Sequence, residues 1–249
     1  MRRLSVHALP EHVPPDALQH ATAVVIDVLR ATTSIVTALD AGARAVIPCM
    51  TIDEAQAVTA GLSVKETLLA GERGGRPIVG FDMGNSPAEF VPEQVRGKQV
   101  VFTTTNGTKA LLHCREALDV LVAAFANLSA VCEVLTGRDA VDVICAGTDD
   151  EPTDEDLLAA GAIVDRLASV GDWQTNDVAD AARNRWRDVA GSATGDELHA
   201  RLRDALGDSR GGRNLIEIGL AADIDAAARC DTSRLVPRYD VARGEVVAR

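Results

Sequence analysis

Short runs of small and β-branched apolar residues recur along this chain, and nearly every one is followed by a helix-patterned stretch. Ala23–Ile26, Ala45–Pro48, Leu68–Ala70, Gln99–Phe102, Val120–Ala123 and Val141–Cys145 are such runs. Each is too short for a core helix and continuous enough for a strand buried on both faces. Helical patterns fall between them at Thr33–Ala41, Ile52–Gly61, Lys109–Ala117 and Ser129–Thr136, and a longer one runs from Asp154 to about Val170. Strand–helix alternation of this kind predicts an α/β fold, a layered α/β/α core around a mixed, largely parallel sheet. The texture changes after Val170: residues 176–206 are dense in Arg, Asp and Ala and predict one or two amphipathic helices. The expected organisation is one domain over residues 1–249, with a small helical lobe within 171–210 as the one subdivision the pattern offers.

Composition narrows the function classes. The net charge of −12 argues against nucleic acid, which requires a basic stripe, and 3% aromatic residues argue against a base-stacking platform. No apolar run is long enough to span a bilayer, and Met1–Leu4 lacks the apolar segment of a secretory leader. A cytoplasmic chain is expected. The five cysteines are widely spaced, without a C-x-x-C pair, so reduced buried thiols are expected. Scattered histidines offer no zinc motif.

Ligands of layered α/β folds sit beyond the carboxyl ends of strands, and four loops there are rich in polar groups. Asp27–Ser34 places a carboxylate directly after a strand, Arg30 three residues on, and the hydroxyls of Thr32, Thr33 and Ser34 at a helix entry. The carboxylate can hold a metal or a proton and the guanidinium can fork a phosphate, or the two can simply cap and pair locally. Thr103–Thr108 combines Thr104, Thr105, Asn106, Gly107 and Thr108 before a helix, which suits anion binding by backbone amides or a plain capped turn. Gly71–Pro77, with Glu72 and Arg73, joins Phe81–Pro87, with Asn85 and Ser86, in a long irregular stretch suited to a ligand clamp or a self-bonded surface loop. Cys145–Asp156 carries Gly147 and an acidic helix start. Its acids complement the helix dipole, and one or two can be Mg²⁺ ligands.

Two phosphatase patterns fail on inspection. Cys132 and Arg138 have the C-x₅-R spacing, but the interior is helix-patterned and Glu133 opposes a thiolate. Asp27-Val28-Leu29 lacks the second carboxylate of an aspartyl-phosphate motif.

Taken together, Asp27–Ser34, Gly71–Gly75, Gly80–Pro87, Thr104–Thr108 and Cys145–Gly147 resemble, in order, the 2-phosphosulfolactate phosphatase family. The resemblance extends through Ala124–Asn127, Glu155–Gly161, Asp223-Ile224 and Val236-Pro237, from about residue 21 to 240. It implies a phosphoric monoester hydrolase that converts 2-phospho-3-sulfolactate to 3-sulfolactate and phosphate with Mg²⁺, as in coenzyme M biosynthesis. Asp27, Arg30, Glu72 and Arg73 are then the expected catalytic residues. Asp27, with Glu72 or the Glu155/Asp156 pair, is expected to hold Mg²⁺. The hydroxyls of Thr32–Ser34, Asn85, Ser86, the Thr104–Thr108 loop and Gly147 are expected to bind the small anionic substrate. A related phosphorylated hydroxy acid, or a non-catalytic anion-binding role, are the competing readings. Alanine-rich helical surface suits a homodimer.

Overall fold

The computed structural model describes residues 2–248. Its strands are β1 (Arg2–His7), β2 (Thr22–Ile26), β3 (Ala45–Pro48), β4 (Thr67–Arg73), β5 (Arg76–Pro77), β6 (Gln99–Thr103), β7 (Asp119–Ala123), β8 (Ala140–Cys145), β9 (Trp173–Thr175), β10 (Pro237–Asp240) and β11 (Glu245–Ala248). The helices are α1 (Ala31–Asp40), α2 (Ile52–Ala60), α3 (Pro92–Val95), α4 (Gly107–His113), α5 (Leu128–Leu135), α6 (Asp154–Val170), α7 (Asp177–Ala190), α8 (Gly195–Asp208), α9 (Arg210–Glu217) and α10 (Ala222–Ala227). The α/β reading holds: all strands join one sheet in the order β5-β4-β6-β3-β11-β10-β7-β2-β8-β1-β9.

Two parallel blocks make up most of that sheet. One is β4-β6-β3, the other β7-β2-β8-β1-β9. Between them lies an antiparallel hairpin, β10–β11, which pairs with β7 through Arg238–Leu121 and with β3 through Val246–Val46. The sequence pattern did not announce this hairpin, because its strands are short and half-polar. Three antiparallel steps separate β3 from β7, so the two blocks run in opposite senses across the seam. Residues at the carboxyl ends of both blocks nevertheless line one cavity.

Strand alternation shows what each face of the sheet packs against. Ala23 and Val25 of β2, Val100 and Phe102 of β6, and Val120 and Val122 of β7 share one buried cluster with residues of α1 and α4. The opposite residues of the larger block, Val24, Ile26, Val141 and Val143, pack instead with α5, α6 and the later helices. Behind the smaller block, Val101 and Leu69 meet Ala55 of α2. The charged region forms α7 and α8, and their apolar faces (Ala179, Leu202, Leu206) belong to the same cluster as α6. Two arginines of α7 bond Asp165 of α6, Arg183 at 2.9 Å and Arg187 at 2.7 Å.

All five cysteines are free. Burial pushes the thiols of Cys49, Cys114, Cys132 and Cys230 up to about 12, so none is poised as a nucleophile. Among the described residues, no helix is long and apolar enough to cross a membrane.

Candidate active site

The carboxyl ends of β2, β4, β6 and β8 open on a cavity of about 330 Å³, near the lower end of the range for small-molecule sites. Asp27, the residue after β2, forms part of its wall and is itself buried. Its Oδ1 accepts the Ala31 amide at 3.1 Å, and no hydrogen bond to Oδ2 is present among the described residues. Burial is the main cause that pushes this carboxyl up to about 7; repulsion from Glu72 and Glu155 adds to it, against the Ala31 amide and the Arg30 charge.

Arg30 stands beside it, after a cis Leu29–Arg30 peptide. Its guanidinium is 3% exposed and held at both ends: Nη1 donates to Asp223 Oδ2 at 2.7 Å and Nη2 to the Gly75 carbonyl at 2.6 Å, which leaves further N–H groups at the cavity wall. Asp223 Oδ1 accepts the Ser86 hydroxyl at 2.5 Å. Asp223 therefore fixes the site arginine, a role its position in the sequence did not suggest.

Two of the other three acidic positions work on the backbone. Glu72 accepts the Thr105 amide on Oε1 and the Gly75 amide on Oε2, each at 2.7 Å, and so ties the β4–β5 turn to the loop after β6. Asp156 accepts the amides of Val28 at 2.8 Å and Gly147 at 3.1 Å, joining the loops after β2 and β8. Burial and the nearby Asp27 and Glu155 hold its carboxyl well above the ordinary carboxylate range. Glu155 is buried one position away, raised likewise by burial, and its Oε2 has no partner.

The hydroxyls expected to bind phosphate turn inward instead. Thr32 Oγ1 donates to the Asp27 carbonyl at 2.8 Å, Thr33 Oγ1 to the Val28 carbonyl at 2.8 Å, and Ser34 Oγ to the Asn85 carbonyl at 2.8 Å. Thr104 and Thr108 bond one another across the first turn of α4, the Thr108 amide reaching Thr104 Oγ1 at 3.1 Å. Arg73 also faces away, donating to the Glu72 carbonyl and to Thr103 Oγ1 at 2.6 and 2.9 Å. From these motifs Thr105, Asn106 and Asn85 reach the cavity wall, and the buried Asn85 Oδ1 is unpartnered.

Glycines permit this convergence. A Cβ at Gly107 would stand 2.3 Å from Ala31 Cβ and 2.5 Å from Asp27 Oδ2, so α4 approaches α1 only through a hydrogen. A Cβ at Gly71 would stand 2.1 Å from the Thr103 carbonyl oxygen, where β4 and β6 pair.

Residues 210–215 of α9 supply wall elements that the sequence pattern left outside the site: Arg210, Gly211, Asn214 and Leu215. The signal was present in Arg210-Gly211-Gly212-Arg213, which breaks an otherwise charged helical texture. Gly211 lies against Glu155 Oε1, a Cβ there being 2.2 Å away. The helix start is thus pressed onto the acidic cluster.

Comparison with known proteins agrees with this arrangement. A family profile described as 2-phosphosulpholactate phosphatase matches residues 7–241. The chain is 41% identical over 238 residues to the "Probable 2-phosphosulfolactate phosphatase" of Deinococcus radiodurans, covering 94% of this chain and 92% of that protein. Proteins of the same name from Caldanaerobacter subterraneus and Thermotoga maritima are 37% and 38% identical, over 89% and 90% of this chain and 88% and 91% of theirs. Matches of this length and identity span both sheet blocks and every loop of the cavity, and the chain belongs to the 2-phosphosulpholactate phosphatase family.

Proposed function

We propose that this cavity hydrolyses the phosphate ester of 2-phospho-3-sulfolactate to 3-sulfolactate and phosphate, with Mg²⁺ as cofactor. The relatives' shared name supplies the substrate. One observation carries the chemistry: the acids around the cavity outnumber the charge that can answer them. Asp27, Glu72, Glu155 and Asp156 gather there, while Arg30 is already matched by Asp223. A multiply charged anion is repelled from such a site unless protons or a cation offset the carboxylates, and a bound divalent cation does so above the pH at which Asp27 releases its proton.

The donor set fits a hard divalent ion. Asp27 Oδ2 and Glu155 Oε2 are carboxylate oxygens without a hydrogen-bond partner, one at the wall and one buried behind it. Burial is the main cause of the raised proton affinity of Asp27, and the repulsion from Glu72 and Glu155 that adds to it is what a cation at this carboxylate would relieve. No group of three acidic, His or Cys side chains forms a ready cage among the described residues. The two unpartnered oxygens match the one or two carboxylates that Mg²⁺ commonly takes while keeping several waters. When bound there, the ion supplies Lewis-acid polarisation of the phosphoryl group.

The remaining roles belong to the chain. Arg30, fixed by Asp223 and Gly75, presents a stationary positive charge toward the equatorial phosphoryl oxygens, needing no reorganisation as charge develops. Asn85 and the Thr105–Asn106 backbone contact the same group. Glu72 and Asp156 hold the loops in register. Water adds to phosphorus, the phosphorus–ester oxygen bond breaks, and the departing hydroxyl of sulfolactate takes up the proton that the water loses.

The test is phosphate release from 2-phospho-3-sulfolactate, 2-phospholactate and 3-phosphoglycerate, each with Mg²⁺ and with EDTA. Release that needs Mg²⁺ and favours the sulfonate is expected. Preference for another ester would reassign the substrate, and no release from any would leave an anion-binding protein.

A further inference from the structure

The phosphatase reading leaves one cation of the cavity wall without a role. Arg30 is fully buried and both its terminal nitrogens are engaged. Arg210 is different. Its side chain is 39% exposed, it lines the same cavity, and all its contacts come from one short loop. Nη1 donates to the Thr148 carbonyl at 3.0 Å and to Glu151 Oε2 at 2.7 Å, and Nη2 to Asp149 Oδ2 at 2.7 Å. The two acids are themselves mostly in water, at 67% and 74% exposure. Ion pairs of that kind hold weakly, because solvent competes for both partners.

The base of Arg210 is fixed where its head is not. It opens α9, whose start is capped by Ser209 Oγ accepting the Gly212 amide at 3.1 Å. The next two glycines are pressed against Glu155 and the Leu206 carbonyl, where added Cβ atoms would stand 2.2 and 1.9 Å away. The loop that holds the head also does not need it. Thr148 and Glu151 close a two-residue turn through backbone bonds of 2.9 and 3.1 Å. Asp149 and Asp150 take φ of 52° and 58° within it, the left-handed conformation Asp tolerates better than most residues. Releasing Arg210 would leave that turn shut.

We propose that Arg210 is the specificity-determining cation of the cavity: its guanidinium exchanges Asp149 and Glu151 for a second anionic group on the organic half of the phosphorylated substrate. The planar fork fits a carboxylate or a sulfonate, whose oxygens match the two that it now holds. This rests on the phosphatase reading for the position of the phosphate, and adds what selects the rest of the substrate.

The test compares kcat/KM for three esters in the wild type, in Arg210→Gln and in the Asp149→Asn/Glu151→Gln double variant. The esters are 2-phospho-3-sulfolactate, 2-phospholactate without the sulfonate, and isopropyl phosphate with neither acid. Arg210→Gln is expected to lower kcat/KM for a charged ester about tenfold to a hundredfold more than for isopropyl phosphate, chiefly through KM. The ester pair whose ratio collapses shows whether sulfonate or carboxylate is read. The double variant frees the guanidinium and is expected to keep or lower KM for the charged esters. Equal loss on all three esters in Arg210→Gln, or the same loss in the double variant, would mean that Arg210 only braces the loop and would overturn the proposal. If the wild type hydrolyses none of the esters with Mg²⁺, the phosphatase reading fails by itself. Calorimetric titration of 3-sulfolactate and lactate then decides the role of Arg210: binding lost in Arg210→Gln supports it, and unchanged or absent binding to the wild type refutes it.

Discussion

Gly107→Ala sets helix propensity against the geometry of the site. Propensity alone favours alanine within a helix by up to about 1 kcal/mol. The backbone there is not left-handed, so nothing in its conformation forbids a side chain. Space does. The new Cβ would stand 2.3 Å from Ala31 Cβ and 2.5 Å from Asp27 Oδ2, and neither neighbour is the end of a flexible side chain. Ordinary carbon contacts lie at roughly 3.5–4.0 Å, so the starts of α1 and α4 must part by more than ~1 Å. Asp27 cannot simply rotate away, because its Oδ1 is tied to the Ala31 amide. Overpacking of this order costs about 1–3 kcal/mol, which for a chain of this size lowers the melting temperature by about 2–12 °C. Displacing a catalytic group by ~1 Å also lowers turnover by on the order of a hundredfold. Thermal unfolding and phosphate release measure the two effects. Gly207→Ala in α8 is the control, since a Cβ there meets no atom within 4 Å, and it should be neutral or slightly stabilising. A Gly107→Ala protein that melts at or above the wild type with full turnover would refute the reasoning.

Other perturbations have equally definite signs. Asp223→Ala strands the buried Arg30 charge, which costs about 3–5 kcal/mol, or about 6–20 °C in melting temperature; a change of under ~2 °C would show that the pair is not holding the site. Glu155→Gln removes a buried, repelled carboxylate. It should raise the melting temperature of the metal-free protein and abolish the increase produced by Mg²⁺, and an unchanged Mg²⁺ response would exclude Glu155 from the cation site. Asp27 has its pKa raised from 3.8 to about 7, so between those values the folded protein keeps a proton that the unfolded chain has released. Stability in EDTA should therefore fall as pH rises from 4 to 7 and level off above, with Mg²⁺ stabilising more at pH 8 than at pH 5. A melting temperature that climbs through that window would contradict the assignment.

The alternation of apolar runs and helical patterns identified the layered fold because strands buried on both faces carry their own signature. β2, β3, β4, β6, β7 and β8 lie where those runs are. β1 and the β10–β11 hairpin were not legible: their strands are short or mix polar with apolar residues, and pairing across more than a hundred residues leaves no local mark. The loops that carry the site were also recognisable from their polar residues at strand ends. What each residue does there was not. A hydroxyl run at a helix entry has the same sequence whether it meets a ligand or the preceding carbonyls, and Thr32, Thr33 and Ser34 do the latter. Glu72 and Asp156 bind backbone amides from other loops, a role that only the folded chain defines. Asp223 and Arg210 reach the site from the far end of the sequence, and no spacing rule connects them to Asp27.

The most direct measurement is steady-state phosphate release from 2-phospho-3-sulfolactate with Mg²⁺, in the wild type and in Asp27→Asn side by side, with melting curves to confirm that both are folded. The isosteric amide keeps the Ala31 hydrogen bond and removes the charge at Oδ2. The account predicts Mg²⁺-dependent release by the wild type and, through loss of a cation ligand, a fall of about tenfold to a hundredfold or more in the variant. Release by Asp27→Asn within about fivefold of the wild type, short of that range, would contradict it.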